Sequence, residues 1–119
     1  MKRRIDPETG FAEVKAFAQA ASSDAAPYDQ NGLNTAVRFA LEEFAERHQG
    51  RSVEIRVPWI GAVQAIKGTN HRRGTPPNVV EMDGETWLRL CLGLSVDESA
   101  ISYSGVHADL TPYFPLFRL

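Results

Sequence analysis

The hydrophobic and polar positions change period along the chain, and each change marks an element. In "IDPETGFAEVKAFAQAASSDAAP", Asp6 and Pro7 occupy N-cap and first-turn positions. Phe11, Val14, Phe17 and Ala18 then recur at helical spacing, which predicts an amphipathic helix. Ser22 to Pro27 reads as loop by composition, and "YDQNGLN" prolongs it. A second helix is predicted over about Leu33 to His48. Leu33, Val37, Ala40, Leu41, Phe44 and Ala45 form its apolar stripe, with Arg38, Glu42, Glu43, Glu46 and Arg47 opposite. Glu43 and Arg47 stand four apart, an ion pair that adds only ~0.3 kcal/mol. Phe39 breaks this pattern by projecting from the polar side, so either the first helix covers it or another subunit does. Gly50 stops the run.

From Val53 the period becomes two. Val53, Ile55 and Val57 alternate with Glu54 and Arg56, as in a strand with one wet face. Pro58 ends it, Gly61 to Ile66 forms a second strand, and the short connection suggests an antiparallel hairpin. "NVVEMD" is a further strand, after which Asp83 caps a helix over "GETWLRLCLGL". That helix is apolar nearly all round. Trp87, Leu90, Cys91 and Leu94 share a face that Leu88 and Leu92 widen, so it is buried on two sides or walls a cavity. "SVDESA" reads as a turn or short helical piece, and "ISYSG" as a final strand with Ile101 and Tyr103 on one face. The tail "ADLTPYFPLFRL" should dock through one or two turns, since Pro115 interrupts any helix begun at Pro112. The order is α+β rather than alternating βα.

Length and charge narrow the picture. One domain spanning residues 1–119 is expected, large enough to bury a core without a metal or disulfide. The formal net charge of -2, from 13 basic and 15 acidic residues, argues against nucleic acid as a partner. No apolar segment follows "MKRR" and no run of about 18 apolar residues occurs, so stable membrane insertion is not expected and a cytoplasmic location is.

Catalytic chemistry is not signalled. There is no phosphate-loop pattern, no G-x-G-x-x-G and no nucleophile elbow. His48, His71 and His107 lack zinc-ligand spacing, and the lone Cys91 reads as packing, so no metal, cofactor or catalytic residue is assigned. Asp6, Asp83 and Asp109 read as caps. The unusual stretch is "HRRGTPPNVVEMD". His71, Arg72 and Arg73, with Lys67 upstream and Thr75 beyond Gly74, either meet an anion or form a solvated rim on a stiff turn.

The stretch "EIRVPWIGAVQAIKGTNHRRGTPPNVVEMDGETWLRLCLGL", followed by "SYSGVHADLTPYFPL", resembles the small actinobacterial proteins of the sterol carrier protein type. "RGTPPNVVE" is its most specific block, and "RRIDPETGFAEVKAF" is similar to stand-alone members. The resemblance implies a mixed sheet of about five strands with helices on one face and an apolar tunnel between the layers. It implies no enzyme, but a carrier of fatty acyl chains, acyl-CoA or sterol-like lipids. The expected ligand-binding wall is Phe44, Trp87, Leu90, Leu94, Phe114 and Phe117, with His71, Arg72, Arg73 and Thr75 as candidate head-group contacts. The alternative is an interaction or regulatory module, such as a homodimer accompanying a partner enzyme, for which Phe39 and the apolar tail speak. Two features depart from the pattern. Gly84 stands where Pro often follows the capping Asp, and the link Leu94 to Ile101, which helps roof the cavity in the wider fold, is short. The resemblance therefore leaves the cavity's size open.

Overall fold

The computed structural model describes residues 4–22, 29–68, 78–105 and 110–119. In chain order it has α1 (Pro7–Ala21), α2 (Gln30–Arg47), β1 (Val53–Val57), β2 (Gly61–Ala65), β3 (Asn78–Glu81), α3 (Gly84–Leu92) and β4 (Ser102–Gly105). Single 3-10 turns lie at Glu98–Ala100 and Thr111–Tyr113. The order follows the hydrophobic pattern. Asp6 caps α1 by accepting from the Thr9 N–H at 3.1 Å, and Asp83 caps α3 through the Thr86 N–H and hydroxyl. Each cap satisfies a donor that the first helical turn leaves open.

The start of α2 differs from the expectation at Leu33. The "QNGLN" stretch is helical, because Asp29 accepts from the Gly32 N–H at 3.0 Å and Gly32 is buried. A loop-forming composition is overruled by a cap and by packing.

The sheet has order β2-β1-β3-β4, with β1 and β3 parallel and the outer pairs antiparallel. It is mixed, with four strands among the described residues where the resemblance implies about five. β2 stops at Ala65 because Ile66 takes a φ of 67°. That backbone is unusual for a β-branched residue. It is pinned by bonds from Ile66 N to the His48 carbonyl and from Ser52 N and Oγ to the Ile66 carbonyl.

Register puts Val53, Ile55 and Val57 on the face that also carries Val63, Ala65, Val80 and Tyr103. The helices cover this face. The other presents Glu54, Arg56, Gln64, Glu81, Ser102 and Ser104, polar except for Ala62 and Val79.

Burial answers the question posed by Phe39. It is fully buried, its ring centroid lies 5.3 Å from that of Phe11 on α1, and Phe117 from the tail stacks on it at 5.8 Å. Gly10 permits this approach, since a Cβ there would lie 2.2 Å from Phe39 Cγ. Gly84, the departure from the family pattern, acts similarly: a Cβ would sit 3.1 Å from Val37 and 3.3 Å from Ile60, so α3 begins close against α2 and the hairpin tip. The tail is docked as well. Leu116 N and Phe117 N both donate to the Cys91 carbonyl, at 2.8 and 2.9 Å, and the Arg47 guanidinium donates to the Leu116 carbonyl at 2.6 Å.

Candidate functional site

Two hollows open on opposite edges of the sheet. The larger, about 710 Å³, lies beside β2 and is lined by Arg4, Ile5, Arg38, Leu41, Glu42 and Ile60 to Val63. The smaller, about 420 Å³, lies at the β4 edge between the sheet, α3 and the tail. Its wall combines Val80 and Met82 from β3 and its exit, Leu90, Gly93 and Leu94 from α3 and its end, and Glu98, Ile101 and Tyr103 beyond the helix. Leu110, Thr111, Phe114 and Pro115 complete it from the tail. The smaller hollow is the candidate site. It has one carboxylate on an otherwise mainly apolar wall, a composition suited to an apolar ligand, and it lies between the layers. The larger is rimmed by two guanidinium groups and a carboxylate.

Local structure explains this wall. α3 ends where Gly93 takes a left-handed φ of 73° and its N–H reaches the Arg89 and Leu90 carbonyls. That cap turns the chain so that Leu94 stands exposed at the hollow's rim rather than on a continuing helix. The short link to β4 is fastened by the Arg89 Nε bond to the Ser95 carbonyl at 2.7 Å, and by Asp97, which caps the Glu98–Ala100 turn through Ser99. Those Ser99 bonds hold the Asp97 carboxyl below the usual carboxylate range. The shortened segment thus makes a side wall from Glu98 and Ile101, and the hollow stays open to solvent.

The expected wall residues divide into three groups. Leu90, Leu94 and Phe114 line the hollow. Phe44 and Trp87 are fully buried behind Phe114, with ring centroids 5.7 and 6.0 Å from it. Phe117 belongs to the cluster with Phe11 and Phe39 instead. The Trp87 Nε1 donor is buried and has no acceptor among the described residues. His71, Arg72, Arg73 and Thr75 lie outside the described residues, as do His107 and Asp109. The periodicity does not single out Val80, Met82, Leu110 or Pro115 as lining residues. For Tyr103 a signal was present, its alternation with Ile101, and both reach the hollow.

Other chemistry is sparse. Cys91 is fully buried and burial pushes its thiol well up, so it remains a thiol in the core. Among the described residues no group of three or more His, Cys, Asp or Glu is placed to hold a metal ion. Nor is any helix among them long and apolar enough to cross a membrane. Of the two features that spoke for an oligomeric module, Phe39 is covered within the chain, and the tail buries Leu110, Leu116 and Phe117 while Leu119 stays exposed.

No curated protein matches the sequence. A family model described as "Bacterial SCP ortholog" matches residues 29–116, from the cap of α2 to the docked tail. Since the match takes in most of the chain and the mixed sheet with helices on one face agrees with it, the chain belongs to the bacterial sterol carrier protein family.

Proposed function

We propose that the protein is a non-enzymatic carrier of an apolar small molecule, a fatty acyl chain, acyl-CoA or sterol-like lipid, held in the hollow between β3, β4, α3 and the tail. The observation that carries this reading is the lining itself: Leu90, Leu94, Ile101, Leu110 and Phe114 converge on a hollow of about 420 Å³ in a mature core. Membership of a family of characteristically non-catalytic carriers supports it. Burying about ten methylenes at ~0.8 kcal/mol each corresponds to micromolar affinity, near -8 kcal/mol. An acidic head group would then be met by the basic stretch His71, Arg72 and Arg73, with Thr75.

Trp87, one ring behind Phe114, is a built-in reporter. With Trp59→Asn as background, Trp87 is the sole indole, and titration with fatty acids and acyl-CoA of increasing length should shift its emission. Leu94→Glu, at the exposed rim, should lower affinity at least about tenfold while changing stability by no more than about 0.5 kcal/mol. Absence of any lipid by native mass spectrometry after gentle purification, together with a silent Trp87 across the panel, would rule the reading out.

A further inference from the structure

The feature that neither the core nor the hollow absorbs is the tip of the β1–β2 hairpin. The strands close through Pro58, Trp59 and Ile60, with Ile60 N donating to the Val57 carbonyl at 3.0 Å. Pro58 sits at the second position of this turn and Trp59, with a φ of 71°, at the third. That is the signature of a type II turn, whose third position favours Gly or Asn because any Cβ there is strained. Trp59 takes that position while being 102% exposed, so its ring gains nothing from the fold in return. A large side chain held against local preference and without internal contacts points to something outside the chain.

The surroundings identify that partner's chemistry. Arg38 on α2 donates through Nε to the Ile60 carbonyl at 3.3 Å, so a cation is fixed at the base of the tip. The N-terminal segment is fastened alongside, because Glu42 accepts from Arg4 N and Ile5 N at 3.0 to 3.2 Å. Arg4 and Ile5 thereby share the β2-edge hollow with Ile60 and Arg38. Neither the Arg4 nor the Arg38 side chain pairs with a carboxylate among the described residues, and Glu42 is occupied by backbone donors. The tip therefore carries a protruding indole next to a hollow with two guanidinium groups and one carboxylate, an excess of one positive charge.

The other large apolar groups that stand exposed among the described residues are Leu94, Tyr103 and Leu119, the first two at the opposite hollow, so Trp59 is not part of the contiguous apolar patch that a protein interface presents. A bilayer surface envelops a protruding group from every side, and Trp favours the headgroup level while anionic lipid attracts the cations. We propose that the hairpin tip, Trp59 with Arg4 and Arg38, is a peripheral docking point for an anionic lipid surface. It lies at the sheet edge opposite the candidate ligand hollow and stands independently of what that hollow holds.

The test is sedimentation of the full chain with phosphatidylcholine vesicles, with and without phosphatidylserine. The protein should bind the anionic vesicles and release them at high salt. Trp59→Asn should lower the partition coefficient on the order of tenfold and Arg4→Gln on the order of fivefold. Because Asn suits the positive φ, Trp59→Asn should melt no lower than the parent, which separates lost docking from lost folding. Ser104→Ala, exposed on β4 at the opposite edge of the sheet, should bind vesicles as the parent does. Equal partition of parent and Trp59→Asn, or no binding to either vesicle, overturns the proposal. So does self-association by light scattering that Trp59→Asn abolishes without any vesicle binding, which would make the tip a protein contact.

Discussion

One helix and one tail supply rings to two aromatic clusters that have opposite fates. Phe39 of α2 and Phe117 of the tail join Phe11 of α1, with centroids 5.3 to 5.8 Å apart. Phe44 of α2 and Phe114 of the tail join Trp87, Tyr113 and His48, at 4.7 to 6.0 Å. Ring spacing does not distinguish them. The first cluster is hydrocarbon throughout and closed by α1 and the tail, with Arg47 lying over Phe117 at 5.8 Å. The second contains a buried indole N–H without an acceptor among the described residues and ends at Phe114, which also lines the hollow. Equal packing thus serves two ends. One cluster fixes α1 to the body, and the other backs a surface that is left open.

The two clusters differ most at Phe39. Phe39→Ala removes a fully buried ring from the closed cluster and should cost about 3–5 kcal/mol, a large share of the roughly 5–15 kcal/mol that holds a domain of this kind together. Urea unfolding should show a strongly lowered midpoint, while the folded fraction keeps its response to apolar ligands. Loss of that response in protein that is still folded would mean that the closed cluster also shapes the hollow.

Phe114→Ala is the matched change in the open cluster. Phe114 is only half-buried, so the cost should be about half as large, on the order of 2 kcal/mol. The ligand response should change along with it. The hollow gains the volume of a ring, Trp87 loses its screen, and the preferred acyl chain should lengthen. A stability loss equal to that of Phe39→Ala with unchanged chain-length preference would erase the distinction between the clusters.

The sequence reveals the members of these clusters more readily than their assignment. Asp6 and Asp83 were legible as caps because a cap is a local bond, three residues long. The apolar stripe of α2 was legible because its period is local too. Phe39 showed only that something must cover it, since the cover, α1, arrives from a distant part of the chain. Phe114 and Phe117 are three residues apart in one apolar tail and read alike. Their separation depends on Leu116 and Phe117 hydrogen-bonding to Cys91, a long-range event without a sequence period. Gln30 to Asn34 misled for the opposite reason, because a composition typical of loops is absorbed by a cap and a buried glycine. At Trp59 the proline that ends β1 was readable, but the positive φ of the next residue was not.

Charge separates the two clusters more weakly: the open one has a titratable edge, whereas the rings of the closed one are all Phe. His48 lies between Phe44 and Tyr113, with centroids 4.9 and 4.7 Å away. Burial first, and then the neighbouring Arg47, hold its imidazolium below the ordinary histidine value of 6.5. In the window just under that value the unfolded chain therefore binds a proton that the folded chain refuses, and stability rises with pH there. The contribution is complete above the unfolded value and is lost as pH falls towards the folded one. Asp97 has a depressed carboxyl and follows its own window, with its contribution present at higher pH and lost only in stronger acid. Urea midpoints measured between about pH 5.5 and 7.5 should therefore fall on acidification in the parent and stay nearly level in His48→Gln. Parallel slopes in the two proteins would show that the edge of the open cluster carries no proton-linked stability, and that its difference from the closed one is geometric alone.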